Sequence, residues 1–290
     1  MKLIKQSFQF VNQKGFTLKD IYKHIEYCAR ISYKSQDKIT DTSYEKFVNM
    51  LESRGHDRPL EFGTVYLSRT SQKEDNMEWL DKYAYNPWSK FSFGNGSTRI
   101  NGELRNTIYV TTNYRVIKEH HWEDDLQYLC EPTEHHHKRY TVHMILDRGV
   151  MDEFRTHVGL SHLAESTRYC NYSKDKFGNE VTFVIPSWCN SLVEGSKQEY
   201  SPFEINSDEV EFMNALQNAQ NSYLSLLKMG WTPQQARSIL PLGIKSELIS
   251  CGFEDVWENF FKRRDAPDAH PMAQEIAKPM HEEFLKLTKV

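Results

Sequence analysis

The sequence lacks the patterns that mark secreted, zinc-binding or membrane proteins. Its five cysteines are scattered and none is spaced as Cys-x-x-Cys, so neither a disulfide framework nor a zinc site is indicated. No run approaches the ~18 consecutive apolar residues of a membrane-spanning helix, and the N-terminal segment has no apolar core of a signal peptide. These absences favour a cytoplasmic protein of the reducing cytosol, with no membrane partner.

An excess of positive charge and a glycine-rich phosphate loop are also missing. The net charge is -4 and the pI is about 6.3, so no field of the whole molecule attracts a nucleic-acid backbone. Loops of the Rossmann or Walker type do not occur, so a dinucleotide would have to be held by another architecture. Nucleic acid is therefore not an expected partner, and a phosphate site must be built from local arginines.

The residues that are present predict a folded chain with both strands and helices. The sequence has 290 residues, 39% of them hydrophobic and 13% aromatic, which is enough to build a sizeable core. Strand and helix patterns alternate without the regular spacing of βαβ units, which predicts a mixed sheet with helices packed on it. We find no repeat and no linker, so one domain over residues 1–290 is expected. Residues 71–104, rich in Asn, Ser, Gly and aromatics, are interpreted as a surface insertion.

Local capping signals mark several element boundaries. Thr17 precedes a helix whose apolar residues recur every three or four positions, and Asn206 and Thr232 precede two more. Gly55 suits the C-terminal end of a helix. An imperfect apolar alternation over residues 3–11 predicts a first strand.

A polar segment runs from Glu165 to Tyr172. Within it, the hydroxyls of Ser166 and Thr167 and the guanidinium of Arg168 stand close enough to converge on a phosphate, for which arginine supplies a two-pronged donor. The alternative interpretation is a solvated turn. The sequence alone leaves both open.

Arg237 and Arg264 stand among apolar neighbours and are candidates for partly buried cations. Such cations are costly unless an anion or a carboxylate meets them. The alternative to a ligand is a salt bridge, to Glu247 or to Asp265.

The histidines and cysteines give weaker signals. The runs His120-His121 and His135-His136-His137 have no fixed ligand spacing, so a solvated loop is favoured and no metal site is expected. His56 and His157 are better functional candidates, although a core histidine explains them equally well. Cys170 has no basic partner fixed in the sequence, so a buried small side chain is favoured over a nucleophile.

Eight motifs carry a resemblance to a known family. They are Ala29-Arg30-Ile31-Ser32-Tyr33, Gly55-His56 with Leu60-Glu61, Asn113-Tyr114-Arg115, Asp147-Arg148-Gly149, the segment from Glu165 to Tyr172, Phe183-Val184-Ile185-Pro186, the segment from Thr232 to Leu242, and Trp257 with Phe260-Phe261, Arg264 and Ala269-His270-Pro271. Together they cover nearly the whole chain in the right order. The chain resembles the flavin-dependent thymidylate synthases (the ThyX family) and is identified as a divergent member.

The resemblance implies an α+β fold with a mixed, largely antiparallel sheet, assembled as a homotetramer whose active sites draw on several subunits. It also implies transfer of a methylene group from methylenetetrahydrofolate to C5 of dUMP, with FAD reduced by NADPH supplying the hydride and no enzyme nucleophile. By matching position, the implied dUMP ligands are Glu153, Ser166, Arg168, Arg237 and Arg264, of which Ser166 and Arg264 are the implied catalytic residues. The positions implied to lie near the flavin are Ser32, His56, Glu61, His157 and Asn259.

The sequence departs from this family's pattern on the cofactor side. The family's Arg-His-Arg triplet aligns with Thr156-His157-Val158, the histidine usual after Glu61 is Phe62, and the Gln or Glu usual before Glu165 is Ala164. Each lost guanidinium removes charge-assisted hydrogen bonds worth about 1.5–3 kcal/mol. Replacement by Arg155 requires a one-residue register slip, which turns a helical side chain by about a hundred degrees.

Four functions therefore remain in view. The first is a thymidylate synthase-like enzyme that methylates dUMP, with Arg168, Arg237 and Ser166 on the phosphate and Arg264 at the uracil edge. The second is a related C5 hydroxymethylase of a pyrimidine nucleotide, with an altered or absent flavin and water completing the reaction. The third is a catalytically silent nucleotide-binding homologue. The fourth, a nucleic-acid module, is disfavoured by the acidic balance.

Overall fold

The computed structural model describes residues 1–100, 103–168, 170–196 and 206–289. Its helices are α1 (Leu18–Tyr33), α2 (Ser43–Ser53), α3 (Lys73–Ala84), α4 (Tyr114–Glu119), α5 (Arg148–Phe154), α6 (Ser207–Lys228), α7 (Pro233–Ala236), α8 (Glu254–Arg264) and α9 (Pro271–Thr288). Its strands are β1 (Lys2–Ile4), β2 (Ser7–Phe10), β3 (Thr64–Ser71), β4 (Lys90–Ile100), β5 (Glu103–Asn113), β6 (Arg139–Asp147), β7 (Ser161–Ala164), β8 (Thr182–Val184), β9 (Gly195–Ser196) and β10 (Lys245–Phe253).

The strands form three small sheets. The central sheet has the order β2-β6-β10-β7 and is antiparallel throughout. A second antiparallel sheet has the order β3-β5-β4, and a third has the order β8-β1-β9, in which β1 and β8 are parallel. The expected α+β fold with a mixed, largely antiparallel sheet is confirmed.

Helices cover both faces of the central sheet. Leu248 of β10 belongs to a core with α8 and α9, whereas Ile249 and Cys251 belong to a cluster with α1. Successive side chains of a strand point to opposite faces, so β10 packs on both layers of helices. This explains why β10 is buried along nearly its whole length.

Local capping signals fix both ends of helix α1. Thr17 and Asp20 form the reciprocal capping box at its start, which satisfies amide groups that lack a helical partner. The helix ends at Lys34, whose φ of 51° lies in the left-handed region. Ser32 and Lys34 are thereby brought to the edge of the central sheet, next to the segment that follows β7.

The surface insertion predicted over residues 71–104 includes side chains that are buried in the core. It forms α3 and β4, and Trp79, Leu80 and Tyr83 are buried in the core beneath the second sheet. These apolar side chains share one face of α3, and the polar residues of the opposite face dominate the composition. The single domain over residues 1–290 stays a prediction.

Two smaller expectations also meet the structure. The strand predicted over residues 3–11 is divided into β1 and β2, which pair in different sheets. Gly55 has a φ of 63° just after α2, as expected for a glycine at a helix end. Among the helices that the structure describes, none combines the length and the apolar character needed to cross a membrane.

Candidate functional site

A small, open cavity lies where the end of β7 meets α1, α5 and the segment after α7. Its volume is about 260 Å³. We call it the anion pocket, and it is lined by Ser32, Arg58, Arg148, Arg155, His162, Leu163, Ala164, Glu165, Ser166, Thr167 and Arg237. Four guanidinium groups therefore share one pocket, together with three hydroxyl side chains.

Helix α5 supplies two of these guanidiniums. The carboxylate of Asp147 accepts the amide hydrogen of Val150 at 2.9 Å and starts the helix. Arg148 and Arg155 are seven residues apart, which is close to two helical turns, so they project from the same side. Asp152 lies between them, with its oxygens 3.2 Å from Arg148 Nε and 3.3 Å from Arg155 Nη1. The carboxylate holds both guanidiniums in position.

Arg237 reaches the pocket from the opposite side. Thr232, Pro233 and Gln235 start α7 by the capping-box pattern that the sequence predicted. The helix is followed by a short turn that carries Arg237, whose Nη1 donates to Thr167 Oγ1 at 2.8 Å. The alternative salt bridge of Arg237 to Glu247 is not formed.

A buried ionic network supports the loop that carries Ser166 and Thr167. Lys245 Nζ lies 2.8 Å from Glu165 Oε2 and 2.5 Å from Glu247 Oε1. Lys34 also contacts Glu247, and His143 Nε2 lies 3.0 Å from the second oxygen of that carboxylate. We call these five residues the ionic network.

The ionic network neutralises the carboxylates beside the anion pocket. Burial acts to raise the pKa of Glu247, but its contacts with His143, Lys245 and Lys34 outweigh burial and hold the pKa well below its usual range. Burial acts to lower the pKa of Lys245, but Glu165 and Glu247 outweigh it and raise that pKa. Lys245 is therefore a cation that offsets Glu165, so the positive charge of the arginines remains available to an anion.

His162 is a neutral wall of the anion pocket. Burial, the first cause, lowers its pKa to about 4, so the imidazole is uncharged at neutral pH. Its Nδ1 lies 2.8 Å from Ser250 Oγ, and its Nε2 lies 3.4 Å from the carbonyl oxygen of His157. Both ring nitrogens are thus engaged by the protein.

Arg264 lies outside the anion pocket, at the end of α8. Its guanidinium contacts the carboxylate of Glu153, and its Nη2 donates to the carbonyl oxygen of the same residue at 3.0 Å. The alternative partner Asp265 instead lies 2.9 Å from His281 Nδ1. The described part of one chain therefore separates the implied dUMP ligands into two groups: Ser166 and Arg237 line the pocket, whereas Glu153 and Arg264 form a separate pair. Arg168 is exposed on the turn next to Thr167.

The positions implied to lie near a flavin do not line a common cavity in the described part of one chain. Ser32 borders the anion pocket, and its hydroxyl donates to the carbonyl oxygen of Ala29 at 2.7 Å. Glu61 is buried and contacts Arg115 in a different cavity. His157 is buried against Phe260 on α8. The remaining two, His56 and Asn259, are exposed. These positions of a single chain do not together form a site that fits a flavin.

The two residues that align with the family's arginines, Thr156 and Val158, follow the end of α5. Thr156 donates its hydroxyl to the carbonyl oxygen of Glu153 at 2.7 Å and closes the helix end. Val158 is 90% exposed. Arg155 lies at the helix end and lines the anion pocket.

Sequence reasoning missed Arg58 and Arg148 as members of the pocket. Arg58 precedes Pro59 at the start of a short helix, Arg58–Phe62, and Arg148 opens α5. Each of these two arginines occupies the first position of a helix. Their convergence depends on contacts between elements far apart in sequence, which no local pattern encodes.

The weaker candidates have structural explanations. Burial, with Glu165 next to it, raises the pKa of Cys170 to about 12, so this thiol is protonated at neutral pH and is not an activated nucleophile. His136 is buried, with its Nε2 3.1 Å from the carbonyl oxygen of Leu67. No group of three or more potential metal ligands occurs in the described ranges.

Comparison with known proteins identifies the family. The family model described as thymidylate synthase complementing protein matches residues 67–288. The chain belongs to this family, that of the ThyX thymidylate synthases, and the resemblance seen in its motifs is confirmed. No curated protein matches the chain significantly in sequence.

Two solved structures are similar in outline. Both are of the UMP/dUMP methylase PolB from Streptomyces cacaoi. The one bound with 5-Br UMP has 15% sequence identity and a TM-score of 0.45, and the match covers 99% of this chain and 92% of that chain. The one bound with 5-Br dUMP has 16% identity and a TM-score of 0.43, with 99% and 93% covered.

Proposed function

We propose that this protein binds a pyrimidine nucleoside monophosphate, with dUMP as the expected substrate, and transfers a one-carbon unit to C5 of the base. The observation that carries the proposal is the cluster of four guanidiniums in the anion pocket of a chain that belongs to a thymidylate synthase family. Arginine is the preferred partner of phosphate because its planar group donates two parallel hydrogen bonds. A pocket of about 260 Å³ lies just below the ~300–1,000 Å³ of sites that enclose a whole small ligand, so we assign it to the phosphate end.

In this proposal, different residues of the anion pocket contact the phosphate from different sides. Arg237, oriented by Thr167, and the pair Arg148 and Arg155, oriented by Asp152, approach from two sides. The hydroxyl of Ser166 and the guanidinium of Arg168 complete the phosphate site in this proposal. Fixing the phosphate fixes the base at the other end of the nucleotide, which is how positioning lowers a barrier.

Arg264 and Glu153 act at the base in the proposed reaction. Polarisation of C5 requires a cation near the uracil edge, and Arg264 is held ready by Glu153. Because this pair does not line the anion pocket of its own chain, we infer that it serves the nucleotide of a neighbouring subunit in a homotetramer. The electrostatic contribution of such a preoriented cation is the main way a protein favours charge development.

The leading form of the proposal uses methylenetetrahydrofolate as the carbon donor and NADPH as the source of hydride; a bound FAD would supply the redox chemistry between them. The product is then dTMP. The second candidate is C5 hydroxymethylation, in which water completes the reaction. It is favoured by Thr156 and Val158, which stand where the family has two arginines.

Two measurements test the proposal. Calorimetry with dUMP should show binding that Arg237→Ala weakens by tenfold or more, and turnover with methylenetetrahydrofolate should yield a C5-substituted nucleotide. The near-ultraviolet to blue absorbance of the purified protein separates the two forms: a flavin spectrum with NADPH oxidation supports methylation, whereas a colourless protein that consumes the folate supports hydroxymethylation. Binding of dUMP without turnover of the folate would point instead to the silent nucleotide-binding homologue, and failure to bind dUMP, UMP and dCMP would contradict the proposal.

A further inference from the structure

Arg58 differs from the other three arginines of the anion pocket in how it is held. Asp152 pairs with Arg148 and Arg155, and a threonine hydroxyl accepts a hydrogen bond from Arg237. The guanidinium of Arg58 is exposed and forms no ion pair or hydrogen bond with the residues that the structure describes. Its charge therefore remains available to a ligand in the pocket that it lines.

Arg58 and Arg155 both stand beside the imidazole of His162. Burial is the main cause of the low pKa of His162, and the charges of Arg155 and Arg58 add to it. Charges separated by more than about 10 Å are largely screened in salt solution, so both guanidiniums lie close to this ring. An anion that extends beyond one phosphoryl group can therefore contact both.

The charges of the side chains that line the pocket match a diphosphate better than a monophosphate. Four arginines line it, and Asp152, which pairs with two of them, offsets one of their charges. Glu165 is offset by Lys245, and His162 is neutral. Three positive charges therefore remain. A phosphate monoester carries a charge of about −2 at neutral pH, and a diphosphate carries one negative charge more.

The anion pocket also has room for two phosphoryl groups. Its volume of about 260 Å³ corresponds to about nine water molecules, each of which occupies ~30 Å³ in the liquid. The oxygens of a monophosphate group fill four such positions, and those of a diphosphate group fill seven. A monophosphate thus leaves part of the pocket to water, whereas a diphosphate fills most of it.

We propose that the anion pocket holds two phosphoryl groups, so that a pyrimidine nucleoside 5′-diphosphate binds it more tightly than the monophosphate does and competes with it. Arg148, Arg155 and Arg237 contact the first phosphoryl group, and Arg58 contacts the second. The diphosphate is then a reversible inhibitor of the site. The choice of a pyrimidine nucleoside rests on the proposed function, whereas the preference for two phosphoryl groups rests on the charge and size of the pocket.

The test is calorimetry of the full chain with dUMP, dUDP and dUTP at pH 8, with EDTA present so that no divalent cation neutralises the phosphates. We expect dUDP to bind about tenfold or more tightly than dUMP, because a charge-assisted hydrogen bond contributes that much. The affinity for dUTP should stay within about threefold of that for dUDP, because the third phosphoryl group extends into water, where salt screens it. In turnover assays, dUDP should raise the KM for dUMP and leave kcat unchanged.

Substitutions of Arg58 test which arginine contacts the second phosphoryl group. Arg58→Gln should bring the ratio of the dUMP and dUDP dissociation constants close to one, and Arg58→Glu should make dUMP the tighter ligand. Arg237→Ala should weaken both nucleotides by similar factors and so preserve the wild-type ratio. Arg54→Gln, at an exposed position outside the pocket, is the matched control and should bind both nucleotides as the wild type does.

Three results would overturn the inference. The first is equal affinity of the wild-type protein for dUMP and dUDP. The second is a further tenfold rise from dUDP to dUTP, which general electrostatic attraction produces without a pocket for two phosphoryl groups. The third is a ratio in Arg58→Gln that equals that of the wild type.

Inorganic phosphate and pyrophosphate separate failure of this inference from failure of the proposed function, because they carry no base. A protein that binds pyrophosphate more tightly than phosphate but binds no pyrimidine nucleotide would contradict only the proposed function. A protein that binds dUMP, but prefers neither dUDP nor pyrophosphate over its one-phosphate counterpart, would contradict only the inference. Failure to bind any of these probes would contradict both.

Discussion

Arginines from three different parts of the chain share the anion pocket. The carboxylates next to the pocket form ion pairs that hold the arginines in place or are offset by a lysine. Asp152 is divided between Arg148 and Arg155, and Lys245 offsets Glu165. A guanidinium cluster without such partners would repel itself at short range. The arrangement leaves positive charge available while keeping each group in place.

The contact between Arg237 and Thr167 makes a prediction for a single side chain. Arg237→Lys keeps the charge but removes the planar pair of donors and the hydrogen bond to Thr167. We expect calorimetry to show that dUMP binds about tenfold or more weakly, because charge-assisted hydrogen bonds contribute about 1.5–3 kcal/mol. Arg54→Lys, at an exposed position after α2, is the matched control and should bind as the wild type does. Equal affinity of the two variants would show that Arg237 does not hold the phosphate.

Because His24 is buried, we expect the free energy of unfolding to depend on pH. Burial and the neighbouring Arg139 lower its pKa to about 4, whereas an unfolded histidine titrates near 6.5. Between these values the unfolded state binds more protons, so the free energy of unfolding falls as the pH decreases from about 6.5 to 4. The loss from this one residue is about 2 kcal/mol at pH 5.

Urea unfolding at pH 7 and pH 5 checks the expectation for His24. His24→Gln should lose about 2 kcal/mol less than the wild type between the two pH values, whatever its stability at pH 7. His137→Gln, at an exposed position, should follow the wild type. If His24→Gln showed the same loss as the wild type, His24 would not be the source of the acid sensitivity.

At the scale of elements, the ionic network joins α1, β6, β10 and the loop after β7. Lys245→Met would leave Glu165 and Glu247 buried without their shared cation. Removal of one partner of a buried ion pair typically costs 3–5 kcal/mol, so we expect a loss of about 3 kcal/mol or more in urea unfolding. The double variant Lys245→Met with Glu165→Gln should cost less than the sum of the two single variants.

The control for these variants is a second buried ion pair, formed by Arg30 and Glu26 within α1. Arg30→Met should destabilise the protein without changing its affinity for dUMP. Lys245→Met should change both, because the loop that carries Ser166 loses its support. Unchanged dUMP affinity in Lys245→Met would show that the network is structural only.

The elements themselves were largely predictable from sequence, and the site was predictable only in part. Thr17 and Thr232 mark helix starts because capping is local. The burial of Trp79 in α3 was missed because polar neighbours mask its apolar face. The roles of Arg58 and Arg148 were missed for a different reason, since they depend on which elements meet across the pocket.

At the scale of the whole molecule, exposed apolar side chains near the pocket are consistent with the proposed homotetramer. Val158 is 90% exposed and Leu242 is 67% exposed. Val158→Glu should shift the protein from about four times the chain mass of 34.2 kDa to smaller species in light scattering after gel filtration, because a charge at a buried interface is costly. Leu104→Glu, a 62% exposed position on β5, should leave the mass unchanged. A wild-type protein that is monomeric would contradict the shared site.

The short helix Arg58–Phe62 is held rigidly: Leu60 and Phe62 are buried, Arg139 donates to the carbonyl oxygen of Glu61 at 2.8 Å, and Gly63 packs too closely against α1 for a larger residue. Arg58 stands at the first position of this helix and lines the anion pocket. Its backbone is therefore already fixed before an anion arrives, so binding of a phosphate there would cost little ordering of this part of the site.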